Sequence, residues 1–167
     1  MLAALTLVAA LSAPLPPPYK AACPTSRARY VLRDQPKISL RFQRYGDPLQ
    51  RGVSDVYIVL HSERSKKTYW FEMDWGTSSI RNVYPIYDPV LGAVPSSDKA
   101  DKAPPYDNMT IWTADGALRF YEDDIEGAHP APKYILIPEL SDAMWYGGEP
   151  RESVGTAFFI LKSCAKR

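Results

Sequence analysis

The chain has 167 residues, of which 46% are hydrophobic and 23% are charged. This length supports one domain with a hydrophobic core, and this composition excludes a chain that is disordered throughout. A formal net charge of +1 argues against a dedicated nucleic-acid-binding protein, which normally carries a basic excess. Sixteen Pro and a high content of Tyr, Trp and Phe favour β-structure over a helical bundle.

Residues 1–13 have the composition of a secretory signal peptide. Leu2 to Ala13 is an uncharged run of apolar and small residues, too short for a membrane-spanning helix of about 20 residues. No Lys or Arg precedes the run, so a buried N-terminal helix of the mature domain is the alternative. Residues 14–22 form a Pro-rich spacer. We therefore expect an exported protein in which residues 23–167 form a single β domain.

The two cysteines lie near the two ends of that domain. In an exported protein the simplest arrangement is one disulfide between Cys23 and Cys164. The alternatives are two free thiols in a cytosolic protein and a lipidated Cys23. Two isolated cysteines without a CxxC pair do not indicate a metal site.

Three early segments have clear strand patterns. Ile38, Leu40 and Phe42 alternate with polar residues, which predicts a strand with one solvated face. Val56 to Leu60 is continuously apolar and predicts a central strand that is covered on both faces. Thr68 to Trp75 alternates again, and we expect it to form an antiparallel hairpin with the preceding strand.

Four further strands complete the predicted set, at residues 109–113, 118–121, 134–137 and 156–161. Asp115-Gly116 predicts a tight turn between the first two of these, and residues 141–146 predict a helical turn. Seven strands at this spacing predict an all-β fold, either an antiparallel β-sandwich or a small barrel. Pro85 to Pro105 is a long Pro-rich loop, and such loops tend to be functional or mobile.

Charge is unevenly distributed along the chain. Residues 24–67 carry ten Lys or Arg and four Asp or Glu. Residues 68–153 carry six Lys or Arg and fifteen Asp or Glu. One interpretation is that basic early strands lie beside acidic later ones. The other is a bipolar surface that binds charged partners.

Motifs for phosphate, nucleotide or metal chemistry are absent. The chain has no GxGxxG, GxxxxGK[ST], GxSxG or HExxH pattern, and only two histidines. Glu122 to Gly127 has the start of a calcium loop, but Lys133 stands where a bidentate Glu is needed. We therefore predict neither a cofactor nor a metal.

Two carboxylates and six aromatic residues are candidate functional groups. Glu72 and Asp74 share one face of their predicted strand, so they are the pair we would assign to a hydrolase. Aromatic rings near strand ends and turns are suited to stacking on sugars or anchoring a protein partner. The candidates for ligand or partner binding are Trp70, Trp75, Tyr84, Tyr87, Trp145 and Tyr146.

The preferred interpretation is an exported domain, secreted or periplasmic, that acts as a non-catalytic binding module. Its partner would be an envelope or extracellular protein or glycan, bound by the Pro-rich loop and nearby aromatic residues, with no transmembrane segment in the mature chain. One alternative is a small extracellular hydrolase that uses Glu72 and Asp74. A second alternative is a structural envelope component whose edge strands self-assemble.

Overall fold

The fold is built almost entirely from β-strands. The computed structural model describes residues 23–44, 54–75, 81–86, 109–121, 124–146 and 151–166. A short 3-10 helix at Thr25–Arg27 precedes the first strand. The regular elements are β1 (Ala28–Leu32), β2 (Gln35–Arg44), β3 (Val56–Ser62), β4 (Thr68–Trp75), β5 (Arg81–Ile86), β6 (Met109–Ala114), β7 (Phe120–Tyr121), β8 (Tyr134–Leu136), α1 (Leu140–Tyr146) and β9 (Phe158–Cys164).

The strands form one antiparallel sheet that closes on itself. The nine strands of the sheet follow the order β5-β4-β3-β2-β1-β9-β8-β6-β7, and β5 also pairs with β6. Eight strands therefore make a closed barrel, and β7 is an additional strand beside β6. The predicted all-β class is confirmed, and a small barrel is the architecture observed.

Two strands, β1 and β5, are missing from the seven that the sequence patterns predict. β1 has only five residues, and its alternation ends at the tight turn that leads into β2. β5 contains Pro85, which a sequence pattern assigns to a loop, and Val83 is its only fully buried apolar residue. Both strands are needed for closure, because β1 joins β2 to β9 and β5 joins β4 to β6.

Large side chains fill the interior of the barrel. Tyr30, Phe42, Phe71 and Phe159 are fully buried and belong to one core cluster. An eight-stranded barrel is just wide enough inside for side chains to occupy it or for one small ligand. In the described part of the chain, side chains occupy this space, so the interior is a packed core.

Strand β3 is covered on both faces, as its continuous apolar sequence predicts. Ile58 and Leu60 face the core inside the barrel. Tyr57 and Val59 face outward and are nevertheless only 5% and 1% exposed. They form a second cluster with Trp70 of β4, so this outer wall is covered in the folded chain.

The barrel has two distinct ends. At the disulfide end, Cys23 and Cys164 are bonded, with their Cα atoms 5.7 Å apart, which confirms the predicted disulfide. The N–H of Thr25 there donates to the carbonyl of His129 at 2.9 Å, and the N–H of Ala131 donates to that of Cys23 at 2.9 Å. The helix end carries α1 and the β3–β4 turn.

Several expectations concern residues outside the described ranges. These are the signal peptide and spacer of residues 1–22, most of the Pro-rich loop, and Tyr87. In the described residues, no helix is both long enough and apolar enough to span a membrane.

Removal of the disulfide tests how strongly the chain ends depend on it. The bond closes a loop with a sequence separation of 141. In the chain-entropy model, the double variant Cys23→Ser/Cys164→Ser should lose about 4–5 kcal/mol of unfolding free energy. Urea unfolding of the variant, the oxidised protein and the reduced protein measures this. An unchanged denaturation midpoint in the variant would contradict the expectation.

Candidate functional site

A cleft opens at the helix end of the barrel. Its volume is about 600 Å³, and it lies between the start of β2, the β3–β4 turn and the segment before β9. We call it the Glu152 cleft. Its lining residues are Gln35, Pro36, Lys37, Ile38, Glu63, Arg64, Lys66, Glu152 and Ser153.

The carboxylate of Glu152 is buried and bound by hydroxyl groups. The residue is 2% exposed. Its carboxylate accepts a hydrogen bond from the hydroxyl of Ser62 and others from Ser65 Oγ at 3.1 Å and Tyr69 Oη at 3.3 Å. No ion pair to Glu152 is present in the described ranges. The hydroxyl donors take the place of water, because a buried carboxylate without partners is strongly destabilising.

The strand pattern explains why those hydroxyls meet the carboxylate. Ser62 continues the inward-facing series of β3 after Leu60, and Tyr69 begins the inward-facing series of β4. Both therefore lie inside the barrel where it opens at the helix end. Because Glu152 bonds to both, it holds its segment against the β3–β4 hairpin.

Cations dominate the rim of the Glu152 cleft. Lys37, Arg64 and Lys66 line it, against the carboxylates of Glu63 and Glu152. Lys66 has a φ of 59°, an unfavourable backbone conformation for a residue with a Cβ. The turn that presents these cations is fixed by a hydrogen bond from the N–H of Glu63 to the carbonyl of Lys37 at 2.9 Å. The rim therefore attracts an anionic group, while the buried carboxylate is occupied by its hydroxyl donors.

Two exposed aromatic residues end α1 at the same end of the barrel. Trp145 is 42% exposed and Tyr146 is 79% exposed. The guanidinium of Arg151 lies 5.9 Å from the centre of the Trp145 ring. The N–H of Glu152 donates to the carbonyl of Met144 at 3.1 Å, so the helix and the cleft segment are directly joined.

Glu139 fixes the start of α1. Its carboxylate accepts the backbone N–H of Thr110 at 3.0 Å and also the Thr110 hydroxyl, which ties the helix to the start of β6. Partial burial raises the pKa of Glu139, but these hydrogen bonds outweigh burial and leave the pKa below its ordinary value of 4.5. The ionised form therefore holds the helix that carries Trp145 and Tyr146.

The other predicted aromatic residues have different positions. Trp70 faces outward, as strand alternation predicts, but it is only 7% exposed and packs edge-on against Tyr57 with ring centres 6.2 Å apart. A ring so covered offers little surface to a partner. Tyr84 is half-buried on the outer face of β5, and its hydroxyl accepts a hydrogen bond from Asn82 at 3.3 Å. Trp75 ends β4, and its ring lies outside the described part of the structure.

Glu72 and Asp74 lie on the outer face of β4. Their strand neighbours on β5 are Tyr84 and Asn82. Glu72 is half-buried and Asp74 is exposed. Neither lines the Glu152 cleft, and their role in hydrolysis stays a prediction.

Metal ligation has no geometric support in the described ranges. There, no group of three or more His, Cys, Asp or Glu side chains could hold a metal ion. The first two residues of the acidic segment Glu122 to Gly127 are not among those described.

Comparison with known proteins gives no relative. No protein-family model, curated protein or solved structure matches the chain.

The Glu152 cleft was not predicted from the sequence. Glu152 follows Gly147, Gly148 and Pro150, which have the composition of a solvated loop. The sequence held one indication of a buried polar site, because Ser62 occupies an inward-facing position at the end of β3. A buried hydroxyl at a strand end requires a partner, and here the partner is a carboxylate distant in sequence.

Glu152→Ala tests whether this carboxylate supports the helix end. The substitution removes the acceptor of three hydroxyl donors, two of them on the barrel strands. We expect a loss of at least about 2 kcal/mol of unfolding free energy, because hydrogen bonds to a charged group contribute about 1.5–3 kcal/mol each. Chemical denaturation measures it. Glu63→Ala, at an exposed residue of the same cleft, is the matched control and should change stability little; equal effects would contradict the role of Glu152.

Glu139→Gln tests the anchoring of α1 through pH. Because the folded-state pKa of Glu139 is lowered, its stabilisation is present above its ordinary value of 4.5 and disappears as pH falls through the lowered pKa. The wild type should thus be more stable than Glu139→Gln near neutral pH, by less than about 1 kcal/mol for so exposed a carboxylate. Thermal unfolding from about pH 7 to about pH 3 should show the difference vanish. A constant difference would contradict the expectation.

Proposed function

We propose that the protein is an exported, non-catalytic binding module whose partner binds at the helix end of the barrel. The observation that carries this proposal is the junction of two features there. The Glu152 cleft and the exposed rings of Trp145 and Tyr146 are joined through the hydrogen bond between Glu152 and Met144. A concave surface beside rigid exposed rings is typical of a recognition site.

Export is supported by the disulfide together with the N-terminal sequence. Disulfides persist in oxidising compartments and are rare in the cytosol. Cys23 and Cys164 are bonded. Residues 1–13 have the apolar composition of a signal peptide. Secretion or a periplasmic location accounts for both features.

Binding at the surface follows from the filled interior. Tyr30, Phe42, Phe71 and Phe159 occupy the space in which a barrel of this size would hold a small ligand. This packing supports a macromolecular partner that meets the outside of the barrel. An envelope or extracellular protein or glycan fits, since Trp and Tyr rings anchor proteins and stack on sugars, and the cationic rim favours a partner with carboxylates.

The rings of α1 give the test of this function. We expect Trp145→Ala and Tyr146→Ala to reduce partner recovery by about tenfold in affinity capture from the native extracellular or periplasmic fraction, as truncated aromatic anchors do. Both residues are exposed, so the melting temperature should change little. Quantitative mass spectrometry of the captured material measures the loss.

Trp70→Ala is the matched control for ring loss. Because Trp70 is 7% exposed and packs on Tyr57, its truncation should cost about 3–5 kcal/mol of unfolding free energy. Unchanged partner recovery with both α1 variants would refute binding at the helix end. So would loss of folding in those variants, since it would make Trp145 and Tyr146 packing residues.

A further inference from the structure

Six apolar side chains form a continuous strip on the outer wall of the barrel, away from the Glu152 cleft. Each lies on β6, β7, β8 or β9, and on the last two strands they alternate with the core residues Ile135 and Phe159. They therefore face outward. We call this set the outer apolar strip, and its members are Trp112, Phe120, Tyr134, Leu136, Phe158 and Ile160.

The strand register makes the strip continuous. Leu136 of β8 lies between Trp112 of β6 and Phe158 of β9. The Trp112 ring packs edge-on against Phe120 with centres 6.1 Å apart. Tyr134 and Phe158 stack with centres 5.4 Å apart and planes inclined by 24°. The rings thus form one contact surface along the wall.

This strip is open, whereas the opposite wall is covered. Trp112 is 37% exposed and Phe120 is 54% exposed, and the other four members are half-buried. On β3 and β4, across the barrel, Tyr57, Val59 and Trp70 are at most 7% exposed. Within the described ranges, one of the two apolar outer walls is buried and the other is accessible. Contiguous exposed apolar surface on a folded domain marks an interaction site.

Cations without acidic partners flank the strip at the disulfide end. Arg29 of β1 pairs with Ser163 of β9, next to Lys162. In the described part of the chain, neither Arg29 nor Lys162 makes an ion pair.

The nearest turn carboxylates are already neutralised. Asp34 pairs with Arg33 at 3.0 Å, and that guanidinium also lies 5.3 Å from the Phe158 ring centre. Asp115 binds Arg119, and this hydrogen bond lowers the pKa of Asp115 despite the opposing effect of burial. Asp115 also accepts the N–H of Ala117 at 2.8 Å, which fixes the hairpin that presents Phe120. Among the described residues, these two carboxylates are therefore already paired and do not compete for Arg29 and Lys162.

We infer that the outer apolar strip docks an acidic, amphipathic segment of a partner protein. Its apolar side chains would cover the strip, and its carboxylates would meet Arg29 and Lys162. A protein partner fits because four of the six side chains in the strip are aromatic rings that contact one another in pairs. Aromatic residues and Arg are also the residues enriched at the centre of protein interfaces. This surface is independent of the one proposed at the helix end.

A pair of synthetic peptides tests this inference on the intact oxidised protein. One is an amphipathic peptide of about 18 residues with Leu on one helical face and Glu on the other, a length at which isolated helices begin to form. Its twin has Lys in place of every Glu. We expect the acidic peptide to bind at least about tenfold more tightly than its twin at low salt, and less tightly as salt rises. Backbone amide shifts in nuclear magnetic resonance spectra should change along β6, β8 and β9.

Two variants locate the bound peptide. Phe120→Ser should weaken binding of the acidic peptide by at least about fivefold, and Lys162→Glu by about threefold with a smaller salt dependence. Leu118→Ser is the matched control for the ring, because Leu118 is 55% exposed on the same hairpin but outside the strip. Lys67→Glu, at the helix end, is the control for charge reversal. Neither control should change binding.

Three results would overturn the inference. One is equal binding of the acidic and basic peptides, and another is a set of shifts that map away from the strip. The third is binding to vesicles of anionic phospholipid, with loss on Phe120→Ser, when the acidic peptide does not bind; the strip would then be a lipid-binding surface. Each of these leaves the proposal for Trp145 and Tyr146 standing, since that proposal is tested by their own variants.

Discussion

The pairing of β1 with β9 joins the two ends of the domain, and the closed barrel depends on it. The two strands come from opposite ends of the domain, with Ala28 opposite Cys164 and Leu32 opposite Phe159. Joining such distant segments loses much chain entropy, so the seam needs support beyond its backbone hydrogen bonds. The disulfide limits the entropy of the unfolded chain, and Tyr30 and Phe159 bury rings on the inner side of the seam.

Closure also decides where a partner can bind. Once β5 pairs with β6, each strand has an inner face and an outer face, and side chains alternate between them. The inner faces contribute rings that pack together, and in the described part of the chain these rings form one core inside the barrel. A partner of the kind proposed above would bind at the ends or the outer walls. The Glu152 cleft and the outer apolar strip are an end and a wall of this kind.

Patterns in the sequence predicted several strands and the disulfide correctly. Alternation in β2 and β4 and the apolar run of β3 predicted three neighbouring strands, and the position of the cysteines predicted their bond. Strand β5 was not predicted, because Val83 is its only fully buried apolar residue. The burial of Glu152 was not predicted, because it depends on Ser62 and Tyr69, which lie more than 80 positions away in the sequence. Strand alternation could have predicted that Trp112 faces outward, since its neighbours Ile111 and Thr113 face inward.

One of the two surfaces is polar and the other is apolar, but cations lie beside both. The Glu152 cleft is polar, and Lys37, Arg64 and Lys66 line its rim. The strip is apolar and is flanked by Arg29 and Lys162, so cations lie beside both surfaces of a chain with a net charge of only +1. Such local fields speed encounter with acidic partners and act over about 10 Å at moderate salt. A partner rich in carboxylates would therefore be steered toward either surface, while the rings at each surface would determine how long it stays.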